Sequence, residues 1–159
     1  MSDVTLYSAG QVFPITAPPI VDGAVAVQNG RILHVGERAW VRRSLDDRGL
    51  ASTEVHWPGV LIPGLVNAHT HLQYTGMAEV GRGRYQGFED WATAFDPVYE
   101  QGKDWAADAA DGAARLIRTG TTAAADVVTD RSAASALHDA RLHGITYWEV
   151  MSWTNADWA

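Results

Sequence analysis

Cysteine is missing from all 159 residues. Disulfides are thereby excluded, as is the zinc site built on one histidine and two cysteines that some nucleobase deaminases use. Histidine and carboxylate remain as the strong metal ligands. Positive charge is scarce: 12 Lys and Arg stand against 19 Asp and Glu, for a net charge of −7 and a pI of about 5.2. That balance argues against nucleic acid or an anionic membrane surface as a partner. The basic residues are scattered, with Arg42-Arg43 and the Arg82/Arg84 pair as the only local groupings. Long apolar runs are also lacking, and none approaches the ~20 residues that span a bilayer. The start, Met1-Ser2-Asp3-Val4, carries no charged segment leading into an apolar core, so no secretory signal is expected. No internal repeat or low-complexity tract stands out. The expectation is a soluble cytoplasmic protein with a small-molecule substrate.

The pattern changes near residue 60. Before it, the chain reads as β-rich. A short strand is predicted over 4–7, and Pro14, Pro18 and Pro19 punctuate an irregular or edge stretch. Apolar runs over 24–28 and 31–35 flank Asn29-Gly30, a hairpin cue because both turn residues accept positive φ. A short helix is predicted over 37–48, and a strand over 54–57 closed by Pro58-Gly59. After residue 60, strands and helices alternate, which implies a parallel sheet. Strand one lies within 60–72. A helix starts at Phe88 and is broken by Pro97. The clearest helix spans 104–118, with Trp105, Ala109, Gly112/Ala113, Leu116 and Ile117 on one side. Strand two is predicted over 121–128, a helix over 132–142 and strand three over 145–151.

The most informative stretch is Pro63-Gly64-Leu65-Val66-Asn67-Ala68-His69-Thr70-His71-Leu72. On a β-strand, side chains alternate faces with a period of two. His69 and His71 then point the same way, with Asn67 and Leu65 behind them. Two imidazoles side by side at a strand end are placed to hold one divalent ion through ring nitrogens, and a metal-activated water is a strong nucleophile near neutral pH. A Gly-rich polar segment follows from Gly76 to Gly87, as expected of a loop at a strand's C-terminal end.

This stretch resembles the first-strand motif of the amidohydrolase superfamily, in the branch of cytosine, guanine and adenosylhomocysteine deaminases and triazine hydrolases. Residues 23–36 are similar to the hairpin that precedes the barrel in that branch, and Thr119-Gly120-Thr121-Thr122-Ala123-Ala124-Ala125-Asp126 resembles the second barrel strand. Residues 69–74 and 81–91 look similar to aminofutalosine deaminases. The resemblance implies an α/β fold: a small β-sandwich-like domain over 1–61, then the first three or so strand–helix units of a (β/α)8 barrel over 62–159. A whole barrel takes about 250 residues, so the barrel is expected to be incomplete. It also implies metal-dependent hydrolysis of non-peptide C–N bonds, with a divalent metal, Zn or Fe, on His69 and His71. The other ligands and the catalytic acid and base would lie on later strands, so no catalytic residue is expected within this chain. The full-length protein is expected to form homo-oligomers. The competing reading is a non-catalytic piece that needs another chain to complete its site.

Five residues form the candidate substrate-binding set: Gln73, Tyr74, Arg82, Arg84 and Glu149. Gln73 either hydrogen-bonds the edge of a heterocycle or is solvated. Tyr74 either lines the pocket or packs as a loop aromatic. Arg82 and Arg84 either reach a substrate carboxylate, such as a benzoate on a 6-aminopurine nucleoside, or are solvated loop charges. Glu149 and Trp153 sit near the end of strand three. Phe88 and Trp91 either wall the pocket or pack one helix face. Asp126 either touches the site or makes a local turn or cap. His34 and His56 are read as structural, His138 and His143 as surface or helix-end residues.

Overall fold

The computed structural model describes residues 3–150, so Met151 of the third predicted strand and Trp153 lie outside the described residues. The chain divides into two compact units, Met1–Pro63 and Gly64–Ala159.

The first unit contains β1 (Val4–Val12), β2 (Ile20–Gln28), β3 (Arg31–Glu37), α1 (Arg38–Asp46) and β4 (Ser52–Leu61). Its sheet has the order β3-β2-β1-β4. The β1–β2 and β2–β3 pairs are antiparallel, and β4 runs parallel to β1. Asn29 and Gly30 turn the β2–β3 hairpin with φ of 54° and 71°, the left-handed values a tight hairpin turn requires. Alternate residues of β1 and β2, Val4, Leu6, Ala24 and Ala26, meet Val41 and Leu45 of α1 in a buried cluster. The strand period of two and the helix spacing of four each supply one apolar face. The opposite face carries Tyr7, Val25, Val27, Ile32 and Val35, which with Phe13, Leu61 and Ile62 line an open apolar groove.

Two expectations change here. The described residues of this unit form one sheet backed by a helix, rather than the two facing layers of a sandwich. And β4 runs through Pro58-Gly59 instead of stopping there. Proline lacks an N–H, and it is tolerated because β4 is an edge strand whose register with β1 shifts between Ala9 and Gln11.

The second unit begins with β5 (Leu65–Thr70), a 3-10 turn (Leu72–Gly76) and α2 (Ala78–Gly81). It continues with α3 (Phe88–Glu100), α4 (Trp105–Arg118) and β6 (Thr121–Val128). A 3-10 turn (Arg131–Ala133), α5 (Ala136–Asp139) and β7 (His143–Trp148) complete the described part. The strands form a parallel sheet in the order β5-β6-β7. Helix α4 packs on it through Ala109 and Ala113, against Leu72, Ala124 and Val128. Asp104 caps α4 by accepting from the Ala107 amide at 3.0 Å. Gly112 allows a close approach: a Cβ there would collide with Thr75 Oγ1 and lie 3.1 Å from the Leu72 carbonyl oxygen.

Strand β5 is shorter than the stretch 60–72, and His71 lies just beyond its end. Helix α3 continues past Pro97 to Glu100. A ladder of rings spaced four apart, Trp91–Phe95 at 4.8 Å and Phe95–Tyr99 at 5.6 Å between centroids, spans the missing hydrogen bond. Ile117 of α4 is about half exposed rather than in the core stripe. The helix predicted over 132–142 breaks into a 3-10 turn and the single turn α5. Asp130 Oδ1 accepts from the Ser132 amide at 2.9 Å and starts the first, and Arg141 at φ 58° ends the second. His143 therefore opens β7 rather than following a helix.

Candidate metal centre

Strand alternation brings the two imidazoles together. His69 Nε2 and His71 Nε2 are 3.3 Å apart, with ring centroids at 5.2 Å. At that distance one ring can donate an N–H to the other's lone pair. With both Nε2 atoms unprotonated, two nitrogen lone pairs are available 3.3 Å apart, donors of the kind a divalent ion of the zinc or iron type takes. The residues present thus fit part of a metal seat. Among the described residues no group of three or more His, Asp or Glu stands at ligand spacing, so this chain offers two donors where a catalytic site commonly has three.

The surroundings hold His71 more firmly than His69. Tyr74 stacks on the His71 ring, centroids 5.1 Å apart and planes within 16°, and Tyr74 is itself edged by Phe95, Tyr99 and Trp105. Burial pushes the Tyr74 hydroxyl above its usual pKa, opposed by its hydrogen bond with Thr129, while the charge of Glu149 adds to the rise. His69 is exposed, and its backbone amide is held by Asn67 Oδ1 at 3.2 Å.

Gln73 is fully buried, which corrects the solvated reading. Its Oε1 accepts from the amides of Thr129 and Asp130 at 2.9 and 3.3 Å, and its Nε2 donates to Thr129 Oγ1 at 2.6 Å. The carboxamide brackets the loop after β6. Tyr74 is the packed loop aromatic, and also a ring face against His71. Glu149 follows β7, its amide donating to the Val128 carbonyl at 2.9 Å. Arg82 and Arg84 are exposed on the segment between α2 and α3. Phe88 is 70% exposed at the start of α3, its ring tilted against half-buried Trp91 with centroids 5.5 Å apart.

Asp126 was left open by the sequence. It is fully buried inside β6 rather than at its end, and Oδ1 accepts from the Leu72 amide at 2.9 Å. Burial raises its pKa, opposed by that amide and by His71. The available signal was parity: Asp126 shares a strand face with Ala124 and Val128, where a carboxylate is out of place unless partnered. Thr129, which meets Gln73, Tyr74 and Tyr99 through its hydroxyl, carried no such signal.

Known proteins resemble this chain in sequence and in fold. The 5-methylthioadenosine/S-adenosylhomocysteine deaminase of Nitratidesulfovibrio vulgaris strain DP4 is 34% identical over 116 residues, covering 68% of this chain and 24% of that protein. An imidazolonepropionase of Solibacter usitatus is 35% identical over 91 residues, 48% of this chain and 21% of that protein. Among solved structures, Helicobacter pylori aminofutalosine deaminase in complex with methylthio-coformycin matches with a TM-score of 0.71 at 16% identity, over 96% of this chain and 37% of that one. This last likeness concerns the fold. The chain spans about a quarter of the length of the curated relatives it matches. Residues 60–152 match the model of the amidohydrolase family, and the chain belongs to that family.

Proposed function

We propose that the polypeptide carrying this chain is a metal-dependent hydrolase of non-peptide C–N bonds. It acts as an aminohydrolase on a purine- or pyrimidine-like base or a nucleoside such as aminofutalosine. Hydrolytic deamination consumes one water, converts the C–NH2 carbon to a carbonyl and releases ammonia. Residues 1–61 form its amino-terminal β domain, and 62–159 begin its β/α barrel. The 3.3 Å approach of His69 Nε2 to His71 Nε2 carries this reading, together with family membership and the deaminase relative. A divalent ion, Zn or Fe, held there supplies Lewis-acid activation of water.

The chain's own residues contribute binding and orientation. His69 and His71 donate Nε2. Tyr74 limits rotation of the His71 ring and forms one wall of the substrate space. Glu149 approaches the same wall from β7. Arg82 and Arg84 recognise an anionic substituent of the substrate, a role that suits exposed guanidiniums on a loop.

The test uses protein expressed from its own reading frame. Elemental analysis is expected to find bound Zn or Fe, and a panel of aminopurine bases and nucleosides is expected to yield ammonia. His69→Ala/His71→Ala is expected to lose the metal and the ammonia together. Wild-type protein that binds no divalent metal and releases no ammonia from the panel overturns the proposal.

A further inference from the structure

Among the described residues, two buried side-chain atoms capable of hydrogen bonding have no partner: His71 Nδ1 and Asp126 Oδ2. They belong to neighbouring groups. Thr70 pairs with Asp126 across the β5–β6 ladder, and the amide of Leu72, the residue after His71, holds the other Asp126 oxygen. A buried polar atom left unpaired is costly, and of these two one is able to donate and the other only to accept, so they are complementary.

We infer that Asp126 is the positioning residue of His71, its Oδ2 accepting the Nδ1–H of that imidazole. This rests on His71 being a metal ligand. A carboxylate is an acceptor only, and a neutral imidazole carries one N–H and one lone pair. Pairing with Asp126 keeps the proton on Nδ1, and the lone pair then stays on Nε2, the atom that faces His69. In the metal-free protein His69 Nε2–H donates to it. Asp126 thus spans two neighbours: Oδ1 anchors the backbone just after His71, and Oδ2 sets the ring's tautomer. A carboxylate behind a ligating histidine fixes orientation and raises ligand basicity.

Asp126→Asn separates this from a merely structural role. The amide oxygen of Asn is claimed by the Leu72 N–H, so its NH2 faces His71 Nδ1 and drives the proton to Nε2. The protein expressed from its own reading frame serves, with zinc affinity read by competition with a chromophoric chelator. Folded Asp126→Asn is expected to bind Zn2+ about 10–100-fold more weakly; an unchanged affinity overturns the inference. Ring-nitrogen NMR of metal-free wild type, with the His71 signals assigned by their loss in His71→Asn, is expected to show the Nδ1–H form. An Nε2–H form overturns the inference even where Asp126→Asn does not fold. If His69→Ala/His71→Ala binds zinc as tightly as wild type, the metal seat itself fails, while the tautomer still decides the part played by Asp126.

Discussion

Side-chain parity made His69 and His71 legible before any coordinates, because a two-residue spacing on a strand leaves one orientation for both. Asp126 obeys the same parity but reads as an anomaly, a charge on an apolar face, and its meaning depends on a partner 54 residues away. Gln73 was opaque for the same reason: its amide partners are Thr129 and Asp130, 56 and 57 residues on. That bracket yields a prediction. Gln73→Leu keeps the volume and removes the acceptor of two amides, which is expected to cost about 1–3 kcal/mol, read as a lower urea midpoint at unchanged slope. A larger defect in ammonia release than in stability would instead return Gln73 to the substrate.

Elements were legible where caps and periodicity agree, as in α4 with Asp104 before it and Gly120 after it. They were misread where proline was treated as a stop. Pro58 lies on an edge strand and Pro97 in a helix held by stacked rings, and both elements continue. The helix α4 is where two element-scale predictions belong. Asp104→Ala removes the acceptor of the Ala107 amide and is expected to cost about 1 kcal/mol in thermal or urea unfolding. Gly112→Ala places a methyl group into Thr75 and close to the Leu72 carbonyl, and overpacking of this kind costs about 1–3 kcal/mol. Because Leu72 follows His71 directly, Gly112→Ala is also expected to weaken zinc binding, whereas Asp104→Ala leaves it unchanged; chelator competition on both variants distinguishes them.

At the scale of the whole chain, apolar surface decides behaviour in solution. The open groove of the first unit and the exposed Ile145, Tyr147 and Trp148 of β7 present large apolar side chains to water. The 159-residue polypeptide by itself is expected to bind the dye ANS and to self-associate; a monomer with a sharp cooperative melt and no dye binding contradicts this. Such patches are invisible in a sequence, since a half-buried strand and a bare one share the same alternation. The Asp126–Leu72 bond has a kinetic corollary. Its two ends and everything between them, α2, α3, α4 and most of β6, lie inside one contiguous stretch of the second unit, directly after β5. A growing polypeptide leaving the ribosome can therefore seat both imidazoles and brace them as soon as β6 has emerged.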